Sequence, residues 1–169
     1  MENGIKKILR DKYGLFEKDI EILLEKFTKF SVPKREIILQ EGQTDHYIYF
    51  VEKGIVKSTI LREGREFIIF FALENDVPLS SPNLTESRQS LYTLEAVDTC
   101  ILWRISRKDL ATSFKDSLNL SNWGRMILQE WLTSSSFYFS SIHWMSKKEQ
   151  YQYLLKEMPK LIQRLSMRD

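Results

Sequence analysis

One cysteine, Cys100, stands in a chain of 169 residues, so an intramolecular disulfide framework is excluded and a reducing, cytoplasmic setting is expected. It sits in the apolar run Cys100-Ile101-Leu102-Trp103, which reads as core, and an iron–sulfur centre would need several such residues. Histidine is nearly as scarce. His46 and His143 are far apart in sequence, and no cysteine or carboxylate accompanies them at ligand spacing, so neither a metal site nor a metal-dependent barrel enzyme is expected. His46 reads as a surface turn residue. No run of eighteen apolar residues occurs, and the N-terminus Met1-Glu2-Asn3-Gly4-Ile5-Lys6-Lys7 has no apolar signal core, which argues against membrane spanning and secretion. No Gly-x-Ser-x-Gly elbow exists, so nucleophilic catalysis has no sequence support and the chain is not expected to be an enzyme. Charge of one sign is also lacking: 25 basic residues face 23 acidic ones, and the net of +2 falls short of a dedicated nucleic-acid binder.

What is present is a patterned β region. From Val32 to Asp76 three apolar-alternating segments are punctuated by Glu41-Gly42, Glu52-Lys53-Gly54 and Glu63-Gly64, and together they read as a β-meander. Phe67 to Leu73 is almost continuously apolar, which predicts a strand buried on both faces or nearly so. Val77 to Ser87, with Pro78, Pro82 and many small polar residues, predicts a loop or short helical turn. Tyr92–Ala96 and Cys100–Ile105 complete the sheet, and a compact barrel or double-sheet roll follows.

Helical spacing brackets this region. Two short helices around Gly14 are expected, the second starting between Phe16 and Asp19 and stopping before Val32-Pro33. Ser106-Arg107-Lys108-Asp109-Leu110 starts another. From Leu118 to Ile142 apolar residues recur on more than one helical face, too many to bury against one small roll, so part of that helix should meet a partner chain. Trp123, Met126, Ile127 and Trp131 are the candidate seam of a homodimer, since tryptophans at this spacing anchor cores and interfaces more often than ligands. Ser134-Ser135-Ser136 predicts a bend or fraying. Ser146-Lys147-Lys148-Glu149 has the form of a capping box opening a last helix through Tyr151, Leu154 and Leu155, with Pro159 at the start of a further turn.

The order of these parts, with "ILQEGQTDHYIYFVEKGIVK", "REFIIFFALENDV" and "SKKEQYQYLLKEMPKLIQRL" and the glycines Gly42, Gly54 and Gly64, resembles the Crp/Fnr-type transcription regulators and their cyclic-nucleotide-binding-like sensor domain. The resemblance covers residues 16–169. It implies an α+β chain: a β-roll (jelly roll) with N-terminal helices over 1–117, a dimerisation helix over 118–145 and the start of a DNA-binding region over 146–169. DNA contact would then need a helix-turn-helix that is not complete within these residues.

In that family a phosphate cassette offers a Gly-Glu pair and an arginine, with amides and guanidinium cradling the cyclic phosphate and the glutamate taking the ribose hydroxyl. The matching stretch here is Asp76-Val77-Pro78-Leu79-Ser80-Ser81. The Gly-Glu pair is absent, Pro78 removes an amide donor, and the arginine slot falls near Ser90-Leu91 with Arg88 too early. The usual response to cyclic AMP is therefore not expected. Ser80, Ser81, Arg88, Gln89, Ser90 and Tyr92 are the candidates to line a pocket for an unidentified small-molecule effector; read one by one, they are solvated loop residues. No cofactor is expected. Two functions stay open: the sensing and dimerisation part of a bacterial regulator, or a ligand-free dimeric scaffold that kept the roll and lost sensing.

Overall fold

A computed structural model describes residues 4–81, 83–141, 144–157 and 159–164, apart from the side chains at 138, 139 and 160. Contributions expected of Tyr138, Phe139, Ile142, His143 and Leu165 to Asp169 lie outside the described residues.

Two units make up the chain, Met1–Ile127 and Leu128–Asp169. The first carries α1 (Gly4–Asp11), α2 (Glu17–Leu24), nine strands, α3 (Arg107–Asp116) and the first turns of α4 (Leu118–Ser140). The strands are β1 (Thr28–Val32), β2 (Ile37–Leu39), β3 (Thr44–Asp45), β4 (Tyr47–Lys53), β5 (Val56–Arg62), β6 (Arg65–Ala72), β7 (Arg88–Gln89), β8 (Thr93–Ala96) and β9 (Cys100–Ser106). They form three antiparallel sheets in the orders β1-β9-β4, β2-β8-β5-β6 and β3-β7.

The first two sheets enclose one interior. Alternation puts Val32, Tyr49, Val51, Cys100 and Leu102 of one sheet on the same apolar cluster as Leu39, Val56, Ala72, Leu94 and Ala96 of the other. The opposite face of the β1-β9-β4 sheet is covered by helices. Phe50 projects there, edge-on to Phe27 (5.2 Å between centroids) and stacked on Trp123 of α4 (5.6 Å, 22°), while Tyr13 and Phe114 meet Trp123 edge-on.

The segments from Val32 to Asp76 are not a meander. β4 pairs with β9, whereas β5 pairs with β6 and β8, so the chain changes sheets between β4 and β5. Gly54 makes the change at φ +103, where a Cβ would stand 2.5 Å from Cys100 Sγ. Only the β5-β6 hairpin is the expected local pairing. β6 is an edge strand, and this is why the apolar run over Phe67–Leu73 is only half-buried rather than covered on both faces. The second helix also ends earlier than expected. Lys26 and Phe27 close α2, and Thr28–Val32 pairs along β9, so a β-branched and aromatic segment that kept helical spacing is claimed by a sheet edge.

In the second unit Ser146 caps α5 (Lys147–Glu157): Ser146 Oγ accepts from Glu149 N at 3.4 Å, and Glu149 Oε2 accepts from Ser146 N at 2.7 Å and Oγ at 2.6 Å. Those bonds hold the Glu149 carboxyl below its usual range. Pro159 opens α6 (Pro159–Arg164), where its missing N–H costs nothing, and Phe137 packs on Tyr153 at 5.5 Å. α4 runs unbroken through Ser134-Ser135-Ser136. Among the described residues no helix is long and apolar enough to cross a membrane.

Candidate functional site

The segment between β6 and β7 carries the first two candidate residues, and the structure folds it inward. Val77, Leu79 and Leu84 are buried, and Ser80 and Ser81 with them. A buried polar segment needs internal partners. Two residues that sequence reasoning did not single out supply most of them.

Asp45, at the end of β3, and Arg107, the first residue of α3, form an ion pair with both side chains 0 % exposed. Arg107 donates through Nη2 to the Asp45 carboxylate and to Ser80 Oγ (3.1 Å), through Nε to the Asp45 carbonyl (3.1 Å), and through Nη1 to the Asn83 carbonyl, with Ser81 Oγ at 3.5 Å. Ser80 Oγ in turn donates to Asp45 Oδ2 at 2.5 Å, and Tyr47 N reaches Asp45 Oδ1 at 3.3 Å. Every element is placed by the chain's own register: Ser106 caps α3 by accepting from Asp109 N at 3.0 Å, and Arg107 N bonds the His46 carbonyl at 3.0 Å. One guanidinium therefore ties together β3, the β6–β7 loop and the base of α3.

Ser90 occupies the place where the family arginine was sought. Its hydroxyl lies 2.6 Å from the Tyr92 carbonyl and 3.2 Å from the Ser80 carbonyl, while its backbone exchanges bonds with Gln43 and Gly42. Leu91 N also bonds Ser80 O, at 3.0 Å. Ser80, Ser81 and Ser90 are thus brought together and are buried. Arg88 and Gln89 are not: they lie exposed in the small β3-β7 sheet, and Arg88 pairs with Glu86 at 2.6 Å. Tyr92 is half-buried beside Ser90. His46 is exposed, with Nδ1 3.1 Å from Ser87 Oγ.

Asp45 and Arg107 are far apart in sequence, and no short motif joins them. One local signal existed. Arg107 and Lys108 open a helix at its positive end, where acidic residues are favoured, and such a mismatch marks a residue recruited by tertiary structure.

The candidate seam on α4 needs correction. Trp123 and Ile127 are 0 % exposed and Trp131 is buried as well, so their side chains have no surface left for a partner. Met126 alone of the four is partly exposed. The exposed apolar residues of α4 are Leu118, Leu128, Leu132 and Phe137. Helical phase decided this, because the face bearing Trp123 is the one that meets Phe50, Tyr13 and Phe114. Trp144 stands exposed, apart from these.

Two antiparallel sheets closed into a roll, with a polar loop folded into one end and helices on the outer face, define a β-roll domain of the cyclic nucleotide-binding kind. The model of the cyclic nucleotide-binding domain matches residues 29–117, more than half of the chain, and the protein belongs to that family. Solved structures share the fold. A putative transcriptional regulator of the Crp/Fnr family from Eubacterium rectale is 21% identical, with a TM-score of 0.73 over 92% of this chain and 72% of that one. FixK2 from Bradyrhizobium japonicum is 22% identical, with a TM-score of 0.70 over 80% of this chain and 67% of its own. The regulatory domain of Toxoplasma gondii PKA, solved with cAMP, is 20% identical with a TM-score of 0.57 over 64% of this chain, which spans 42% of that protein. No curated protein matches the sequence significantly. Among the described residues no group of three or more His, Cys, Asp or Glu is placed to hold a metal ion.

Proposed function

We propose that the chain is the effector-sensing and dimerisation part of a bacterial Crp/Fnr-type transcription regulator, acting without catalysis, and that it does not answer to cyclic AMP through the usual cassette. The observation that carries the second half is the closed loop: Arg107 spends its guanidinium on Asp45, Asn83, Ser80 and Ser81, and Ser90 stands where an arginine would meet a phosphate. Neither offers a free cation to a cyclic phosphate, and Pro78 withholds an amide beside them. The regulator half draws support from the family match and from the shared fold of FixK2 and the Eubacterium rectale protein. An effector seated on the roll would act by differing in affinity for two arrangements of α4, whose Trp123 is stacked on the outer face of β4.

In such a dimer the seam falls on Leu128 and Leu132, one turn apart on an exposed face, flanked by Met126. Thermal shift and sedimentation test the reading together. Cyclic AMP at saturating concentrations should leave the melting temperature unchanged, whereas any ligand at a hundred times its Kd adds about 2.7 kcal/mol. The wild-type chain should sediment as a dimer at micromolar concentration and Leu132→Glu as a monomer. A stabilising shift with cyclic AMP, or a monomeric wild type, overturns it.

A second reading has its own support. Ser80, Ser81 and Ser90 all find internal partners, as a roll serving only as a ligand-free scaffold would require. A dimer that no compound stabilises would favour it.

A further inference from the structure

Arg104 lies in the middle of β9 opposite Tyr49 of β4, and alternation with Cys100 and Leu102 turns it to the inter-sheet side of the roll. Its guanidinium sits 4.5 Å from the centroid of the Tyr47 ring and 5.2 Å from that of Phe30. Those two rings, with Phe70 and Ile38, are the partly exposed margin of the apolar interior.

The cations nearby are neutralised by carboxylates: Lys29 by Glu52, Lys57 by Glu66 and Glu95, Arg62 by Glu41, Arg88 by Glu86, Arg107 by Asp45. Arg104 is not. Among the described residues no carboxylate, carbonyl or hydroxyl accepts from it, although a guanidinium carries five donors. A planar cation held over aromatic rings, with its donors uncommitted, is suited to bidentate capture of a carboxylate.

The opposite sheet offers a second unsatisfied group on the same interior. Ser58 of β5 lies between Leu94 of β8 and Phe70 of β6, cross-strand neighbours that share its face, and Leu94 belongs to the interior cluster. Ser58 is 0 % exposed and its Oγ has no partner. A hydroxyl left unpaired in an apolar core is destabilising unless something answers it.

We infer that the open end of the roll binds an organic anion with a flat apolar body, an aromatic carboxylate, whose carboxylate is gripped by Arg104 above Phe30 and Tyr47 and whose ring rests on the apolar margin those two share with Phe70 and Ile38, on the side of the interior that holds Ser58. The inference rests on the sensor reading above and supplies the chemical class of its effector. The site is built on strands β1, β4, β5 and β9 and differs from the loop closed by Arg107. Neither Asp45 nor Ser80 takes part.

The test uses 2-naphthoate, its uncharged analogue 2-naphthamide and inorganic phosphate, titrated into the full chain by calorimetry, with amide and aromatic NMR shifts followed in the wild type. Saturable binding of 2-naphthoate is expected, with perturbed resonances clustered at Phe30, Tyr47 and Arg104. The amide and phosphate should each bind at least about tenfold more weakly, and Arg104→Gln should lose at least tenfold, since a charge-assisted pair is worth more than about 1.4 kcal/mol. Arg104→Lys keeps the charge but not the fork and should lose about as much. Circular dichroism checks that both variants fold, and the wild-type shifts decide the matter if either does not.

Absence of saturable naphthoate binding below about 10 mM, equal binding of amide and acid, equal binding of phosphate, or shifts centred on Ser80 and Arg107 would each overturn the inference. The two readings fail separately. A compound that stabilises the chain independently of Arg104 leaves the sensor standing and removes this site, whereas naphthoate that binds through Arg104 to a monomeric chain leaves the site and removes the regulator.

Discussion

Removing Asp45 should cost this protein more than almost any other single polar substitution. In Asp45→Ala the Arg107 guanidinium, fully buried, loses its only carboxylate and keeps just the Asn83 and Asp45 carbonyls and the Ser80 and Ser81 hydroxyls. Breaking a buried pair from one side costs about 3–5 kcal/mol, because the surviving charge stays out of water without compensation. A chain of this size melts about 2–4 °C lower per kcal/mol, so a drop of roughly 6–20 °C is expected. Ser80→Ala removes two hydrogen bonds to charged groups, one given to Asp45 and one taken from Arg107, and should cost at least about 1.5–3 kcal/mol. The exposed pair Arg88–Glu86 is the control: Arg88→Ala should cost about 0–1 kcal/mol. The double variant Asp45→Leu/Arg107→Met removes both charges at similar volume, and it should recover most of the loss or exceed the wild type. Urea denaturation followed by circular dichroism, with the midpoint and slope read for each variant, measures all four. The reasoning is refuted if Asp45→Ala costs no more than Arg88→Ala, or if the double variant is as unstable as the single one.

Gly54→Ala should destabilise strongly, by more than about 1–3 kcal/mol, because a Cβ there meets Cys100 Sγ at 2.5 Å and Cys100 Cα at 2.8 Å from a positive φ; thermal melts read it. Gly124→Ala drives a methyl to 2.5 Å from the Phe114 ring and should cost about 1–3 kcal/mol, with a change in Trp123 fluorescence as the ring shifts. Ser58→Ala should leave the ligand-free protein as stable as the wild type or about 1 kcal/mol more so, since it removes a buried hydroxyl without a partner; a loss above 1 kcal/mol would show that the hydroxyl is satisfied. Alkaline titration should reveal one late phenol. Burial, then the Asp45 carboxylate, pushes Tyr49 up to about 12 against the opposing pull of Arg104, so its contribution to stability is complete below pH 10 and is lost as pH rises from there through about 12. Absorbance of the phenolates should lose its last step in Tyr49→Phe.

Much of the fold was legible because it is locally encoded. Glycine-punctuated alternation between residues 42 and 64 marked the strands, Ser106 and Ser146 announced two helix starts, and Cys100 read as core, as it is. The misreadings share a cause. Residues 28–31 looked helical by spacing and became strand because β9 offers them an edge, while Phe67–Leu73 looked doubly buried and became an edge strand because, among the described residues, no strand pairs beyond β6. On α4 the apolar positions were visible, but their division between the chain's own core and a free face depends on the phase at which the helix meets Phe50.

The candidate site divides in the same way. Ser80, Ser81, Arg88, Gln89, Ser90 and Tyr92 were candidates for one pocket from the position of the loop, and of these the structure buries the three serines together and leaves Arg88 and Gln89 exposed. What closes that loop could not be placed in this way. Asp45 and Arg107 are 62 positions apart and meet only because β3 and the start of α3 arrive at the same end of the roll. Composition and spacing by themselves determined a strand-rich barrel or double-sheet roll with flanking helices, since turn chemistry and periodicity act over a few residues, and the particular β-roll was what the family resemblance implied. The tertiary structure alone decided which charges are buried as a pair and that Arg104 lies on aromatic rings with no anion among the described residues, because pairing between distant strands has no local signature.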